Sequence, residues 1–147
     1  MIILRPFNNN DADNLRINQM PDSSIEEVLS FIKKWVSKSY NCKYFEMLAI
    51  TMDDAVVGSV SLFERSEHSA SLGVEIFPEE RGRGYASEAV KLMIEKARSL
   101  GYRVIIDQVR IDNQASIALH KKLGFETDGY IYKNAKDREV VLYFLCF

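Results

Sequence analysis

Between Ile25 and Val36 the apolar residues Ile25, Val28, Leu29, Ile32, Trp35 and Val36 recur three and four positions apart, directly behind Ser24. That spacing predicts a helix entered through a side-chain N-cap. Around it the period shortens to two. Met1 to Arg5 reads as a short strand closed by Pro6, and Phe45 to Met52 and Val56 to Glu64 read as a hairpin turned at Asp53-Asp54-Ala55. Ser69 to Phe77 adds a third strand and completes an antiparallel meander. Within it Leu72, Val74 and Ile76 face one way and Ser71, Gly73 and Glu75 the other. Asn8 to Asn14 reads as a loose polar stretch and Pro21 to Ser24 as a turn.

After Pro78 the helical period returns. Ala86, Ala89, Val90, Met93, Ile94, Ala97 and Leu100 form one stripe, stopped by Gly101. Val104 to Ile111 reads as a strand, and Asp112 or Asn113 then caps a shorter helix carrying Ala115, Ala118, Leu119 and Leu123 up to Gly124. Phe125 to Tyr132 and Arg138 to Phe147, joined by Lys133 to Asp137, are expected to close the chain as a hairpin, with Val140 to Phe147 either a central strand covered on both faces, the favoured reading, or part of a subunit interface. The order β, α, β, β, β, α, β, α, β, β predicts an α/β fold: a mixed sheet with helices on both faces, in one domain over residues 1–147. A chain of 147 residues can remove roughly 70% of its unfolded surface from water.

Composition narrows the chemistry. Nineteen Lys and Arg against 21 Asp and Glu leave a net charge of −2, so no positive field argues for nucleic acid or anionic lipid. Two cysteines, Cys42 and Cys146, and two histidines, His68 and His120, are too few for a disulfide framework or a zinc cluster. No metal is expected, and a reducing cytoplasm is the default location. No apolar run approaches the ~18 residues of a membrane span. Oligomeric state stays open between monomer and homodimer.

The sequence Arg81-Gly82-Arg83-Gly84-Tyr85-Ala86 joins a strand to the long helix. The first turn of a helix leaves main-chain N–H groups unpaired at the positive end of the dipole. Gly82 and Gly84 let a bulky anion reach that main chain, and Arg81 and Arg83 add charge, so a pyrophosphate suits the site. The turn lacks the Gly-Lys-Ser/Thr ending of a Walker loop and the Gly-x-Gly-x-x-Gly spacing of a dinucleotide fingerprint. Read alone, it also fits a tight surface turn with solvated arginines.

Gly73 to Ala89, GVEIFPEERGRGYASEA, and Asn113 to Phe125, NQASIALHKKLGF, are separated by one strand and together resemble the two central motifs of the GCN5-related N-acetyltransferases. Arg81, Gly84 and Ala86 match the first motif, Arg/Gln-x-x-Gly-x-Gly/Ala. Asn113, Ser116, Leu119, Lys122, Gly124 and Phe125 match the second. The resemblance extends over the element order of the whole chain. It implies the acyl-coenzyme A N-acyltransferase fold, acetyl-coenzyme A as cosubstrate, its pyrophosphate on the Arg81–Ala86 turn, and its pantetheine arm against the main chain of Ile76 and Phe77 and against Asn113. The implied acceptor is a primary amine: a protein N-terminus, a polyamine or another small amine.

An amine acceptor arrives mostly as ammonium, with pKa near 10.4, and must lose a proton before attack. Glu75 is the expected base, although a strand glutamate also binds cations or simply faces water. His120 stands where the family has a tyrosine that acts as general acid toward the coenzyme A thiolate. At its ordinary pKa near 6.5 only a minority of that ring is charged at pH 7, and a thiol of pKa near 8.5 needs little protonation to leave. Two further readings of His120 are open: a partly buried histidine that merely packs, and replacement in the acid role by Tyr130 or Tyr132. Asn113 serves equally as a helix cap. Neither cysteine sits beside a histidine, so transfer is expected to be direct, in a ternary complex. The alternatives are a non-catalytic acyl-coenzyme A sensor and a phosphate-binding module for another nucleotide.

Overall fold

The computed structural model describes residues 1–147 as one mixed sheet with four α-helices. The strands are β1 (Ile2–Pro6), β2 (Ser39–Tyr40), β3 (Lys43–Met52), β4 (Ala55–Ser66), β5 (Ser69–Ile76), β6 (Val104–Arg110), β7 (Tyr132–Lys133) and β8 (Glu139–Cys146), in the spatial order β1-β3-β4-β5-β6-β8-β7. The helices are α1 (Ala12–Asn18), α2 (Ile25–Val36), α3 (Tyr85–Ser99) and α4 (Gln114–Lys122). None is long and apolar enough to cross a membrane.

The meander forms as its alternation requires. Asp53 and Asp54 both take left-handed angles, which match the twist of the β3–β4 hairpin they connect. Leu48 and Ile50 of β3, Val60 and Leu62 of β4, and Ile76 of β5 pack on one face against Ala89, Val90, Met93, Ile94 and Ala97 of α3. Ala49 turns to the opposite face and packs with Leu15 of α1 and Val28 and Ile32 of α2. Helices therefore cover both faces, with α4 on the α3 side through Ile117 and Leu119. Ser24 caps α2 in a reciprocal pair: its Oγ accepts from Glu27 N–H while Glu27 Oε1 accepts from Ser24 N–H.

Three expectations are corrected. Asn8 to Asn14 is not a loose stretch: a single 3-10 turn at Asn9–Asp11 leads into α1. Asp11, nearly buried, accepts from Asn8 N–H and from both Nη atoms of Arg5 at 2.8 and 2.9 Å, while Leu15 is wholly buried. Phe125 to Tyr132 is not a strand. Glu126 bridges Phe144, but the Thr127 and Asp128 side chains then accept from Gly129 and Tyr130 N–H, and these local turns displace the ladder until β7. Finally, β8 is covered along its length on one face only: Tyr143 is buried in the core with Val141 and Leu145 packed beside it, whereas on the other face Val140 is buried but Leu142 and Cys146 are exposed. No helix lies over that second face.

Candidate active site

β5 and β6 run parallel but pair only at Ser69–Val104 and Ala70–Ile105. Beyond that point the ladder is replaced by side-chain links: Asp107 Oδ1 accepts from Leu72 N–H at 2.8 Å, and Ser71 Oγ donates to the Ile106 carbonyl. The strands then part, and a cavity of about 370 Å³ opens between them, bounded by Leu72 and Val74 of β5, Asp107 and Gln108 of β6, and His120 of α4. Both strands end at this opening, so α3 and α4, which follow them, begin beside it. A crevice at the carboxyl ends of parallel strands flanked by two helix N-termini is the usual place for a ligand in an α/β sheet.

The wedge has main-chain groups to offer. Phe77 N–H donates to the Val57 carbonyl at 2.8 Å, and alternate residues of an antiparallel strand point their main-chain groups to opposite sides. Hence Gly73 and Glu75 face β4, while Val74 and Ile76 face the wedge. Arg81 Nε already donates to the Ile76 carbonyl at 2.9 Å. Phe77 is not free for the strand-like pairing expected of it: its N–H serves Val57, its carbonyl accepts from Glu80, and its ring is buried. Val74, not among the site residues expected from sequence, has its main-chain groups turned toward the wedge instead.

At the glycine turn Gly82 and Gly84 have φ of +80° and +81°, and a Cβ on either would meet nothing within 4 Å. Both residues thus occupy left-handed angles over open space, as an anion cradle requires. Gly84 is the N-cap residue of α3 and no side chain caps that helix, so the N–H groups around Tyr85 and Ala86 are available. Arg83 Nη1 is paired with Glu80 at 3.1 Å, whereas Arg81, held to the Ile76 carbonyl through Nε, has no carboxylate partner.

Across the wedge Asn113 Oδ1 accepts from Ser116 N–H at 3.1 Å, so Asn113 rather than Asp112 caps α4. Its amide N–H₂ remains for a ligand. Glu75 is exposed on the α1/α2 face, beside Ser59 in the register and without an ion-pair partner. His120 lies on the opposite face, its side chain 12% exposed. Its Nε2 is 2.8 Å from Asp107 Oδ2 and its Nδ1 2.7 Å from the Ser116 carbonyl. Burial by itself pulls the imidazole pKa down. The hydrogen bonds to Asp107 and Ser116 and the Asp107 charge outweigh it and raise the pKa above the ordinary histidine value. The charged ring is therefore better populated than the sequence suggested. Tyr132 Oη accepts from Gln108, and Tyr130 is exposed; neither phenol lines the cavity. Sequence reasoning passed over Asp107 entirely, although a carboxylate between Ile105 and Val109 on the buried side of a strand was a signal.

The domain family described as "Acetyltransferase (GNAT) domain" matches residues 1–126. Among curated relatives, the "SPbeta prophage-derived uncharacterized N-acetyltransferase YokL" of Bacillus subtilis (strain 168) is 28% identical over 105 residues, 69% of this chain and 59% of that protein. An "L-methionine sulfoximine/L-methionine sulfone acetyltransferase" of Pseudomonas aeruginosa is 34% identical over 67 residues, 46% of this chain and 39% of that protein. The matched regions thus span less than two thirds of those relatives' own lengths. The crystal structure of "Microcin C7 self immunity acetyltransferase MccE in complex with Acetyl-CoA and AMP" superposes with a TM-score of 0.82 at 20% identity, covering 99% of this chain and 92% of that one, a likeness of fold.

Proposed function

Because the chain belongs to the GNAT acetyltransferase family, we propose that it moves the acetyl group of acetyl-coenzyme A to a primary amine by direct attack in a ternary complex. The observation that carries this reading is the wedge where β5 and β6 stop pairing, which opens on the α3/α4 side of the sheet, with β5 running on to the uncapped start of α3. In this reading Gly82, Gly84 and the first N–H groups of α3 hold the diphosphate, with Arg81 and Arg83 adding charge. Val74 and Ile76 pair with the pantetheine arm, and Asn113 and Ser116 approach it from α4. A fold neighbour that carries acetyl-CoA supports the choice of cosubstrate.

The two faces then divide the work. Glu75, on the α1/α2 side, takes the proton that the ammonium must lose, directly or through water. The amine nitrogen forms its bond to the thioester carbon, the C–S bond breaks, and the thiolate departs toward the His120 side. The relative named for amino-acid sulfoximines and sulfones supports small amines that carry an α-amino group as acceptors, alongside polyamines and protein N-termini.

Thiol release measured with acetyl-coenzyme A against a panel of amino acids, polyamines and amino-terminal peptides tests the proposal, with acetylated products identified by mass. At least one amine is expected to raise release well above hydrolysis. Coenzyme binding with no amine-dependent release from the intact chain would instead identify an acyl-coenzyme A sensor, and equal affinity for ATP would identify a general phosphate site.

A further inference from the structure

Asp107 is the only carboxylate lining the wedge, and it is 5% exposed. Oδ1 accepts from the main chain of β5 at Leu72, 2.8 Å away, and Oδ2 from His120 Nε2 at 2.8 Å. His120 Nδ1 meets the Ser116 carbonyl at 2.7 Å. A carbonyl and a carboxylate only accept, so a ring held between them must donate from both nitrogens. Ser116 Oγ, at 3.3 Å from Nδ1, is the more distant partner. Phe125, 4.7 Å away and edge-on, and Tyr143, at 5.5 Å, fix the plane of the ring.

We propose that Asp107 is the positioning residue of this site: it holds His120 as a cation with both N–H groups committed, so that His120 presents a fixed positive charge to the departing thiolate and not a transferable proton. This rests on the acetyl-transfer reading. It differs from the family resemblance, which implied a general acid at this position. A proton donor needs a donor atom free to face the sulfur, and here neither ring nitrogen is free. Coenzyme A does not need one, because a thiol of pKa near 8.5 leaves readily as thiolate when its charge is stabilised.

The charged and titratable groups facing the ring are few. Asp107 comes from β6, the Tyr143 phenol from β8 and Arg65 of β4 from the far wall of the cavity; Lys121 and Lys122 of α4 itself are exposed. Arg65 opposes a second cation, which leaves Asp107 as the group that secures the charge.

Asp107→Asn isolates this role because it preserves every hydrogen bond. The Asn oxygen still accepts from Leu72, its N–H₂ donates to Nε2, and the ring becomes the neutral tautomer with its proton on Nδ1. Imidazole NMR of the wild-type chain is expected to show both nitrogens protonated at pH 7, and the variant a neutral ring whose pKa lies at least one unit lower. Where an amine supports turnover, kcat at pH 7 falls about 10²-fold, the size typical for loss of one electrostatic stabiliser. The alkaline limb of the kcat profile moves down with the ring pKa, while KM for acetyl-coenzyme A holds within about threefold. In a His120→Phe background Asp107→Asn has no further effect on that limb. A neutral ring in the wild-type chain at pH 7, or an alkaline limb that stays in place in Asp107→Asn while only thermal stability drops, overturns the proposal. If no amine drives release, the transfer reading fails and the thiolate role with it. The ring titration then decides separately whether Asp107 sets the charge.

Discussion

Gly84→Ala separates what the glycine turn does for folding from what it does for binding. Gly84 sits at φ +81°, where an L side chain costs about 1–2 kcal/mol. The added methyl collides with nothing within 4 Å, so no packing penalty joins the backbone one. Alanine also restricts the unfolded chain, which returns about 0.4–1 kcal/mol. The net loss is about 1 kcal/mol, a fall in Tm of about 2–4 °C in a chain this size. Binding follows a different ledger, because on the proposed reading the same methyl stands where a diphosphate approaches the first N–H groups of α3. Calorimetric titration with coenzyme A is expected to show Kd raised tenfold or more, which is about 1.4 kcal/mol. Gly101→Ala is the matched control: φ is +94°, the space is again open, and the site lies beyond the other end of a 15-residue helix, about 22 Å away. It should lose the same Tm and keep the wild-type Kd. Equal Tm losses with Kd unchanged in both variants would refute the placement of the diphosphate on this turn.

Glu75→Gln, at an exposed position, should leave Tm within about 1 °C yet lower amine-dependent thiol release at pH 7 by about 10²-fold, the upper part of its loss recovered as the pH rises and more free amine is present. Arg81→Gln should weaken coenzyme A binding more than Arg83→Gln does, since Glu80 already engages Arg83; titrations at two salt concentrations compare them. Lys96→Met removes the ion-pair partner of Glu46, which is 1% exposed, and should cost about 3 kcal/mol in denaturant unfolding at pH 7, the low end for a buried pair because Lys38 and Tyr44 remain. His120 has a folded pKa raised above its unfolded value near 6.5, so the stability it contributes is fully present below that value and is lost as pH rises through the folded one. Unfolding free energies of the wild-type chain and His120→Phe should therefore converge on the alkaline side.

The elements that could be read from the sequence are those whose burial is periodic and whose ends carry their own signal. The α2 stripe behind Ser24, the α3 stripe ending at Gly101 and the β3–β4 hairpin turned by two aspartates all formed within a residue or three of their expected bounds. Where side chains compete with the ladder, periodicity misled. Asp128 and Thr127 support turns in a segment that alternates well enough to pass for a strand. Asn8 and Asp11, which look like loop residues, make a capping box on the 3-10 turn that leads into α1. Both outcomes depend on a partner: Arg5 pins Asp11 from β1, and Phe144 reaches only Glu126 of the predicted last hairpin.

The candidate site divides along the same line. The glycine turn and the α4 cap are local, each set by residues within one turn of the chain, and the motif positions Arg81, Gly84, Ala86, Asn113 and Ser116 stand where strand-to-helix connections should put them. Ile76 and Phe77 could not be told apart from sequence, because which of two neighbours faces the wedge depends on the register with β4, and that register is visible only as Phe77 bonds to Val57. The charge on His120 is more distant still. It needs a carboxylate 13 positions earlier, brought to 2.8 Å by the packing of α4 on β6, and that carboxylate is in turn held by a β5 amide 35 positions before it. The place where β5 and β6 stop pairing is thus also where their side chains take over: Asp107 fills the first missing rung of the ladder and, in doing so, brings its second oxygen to the histidine.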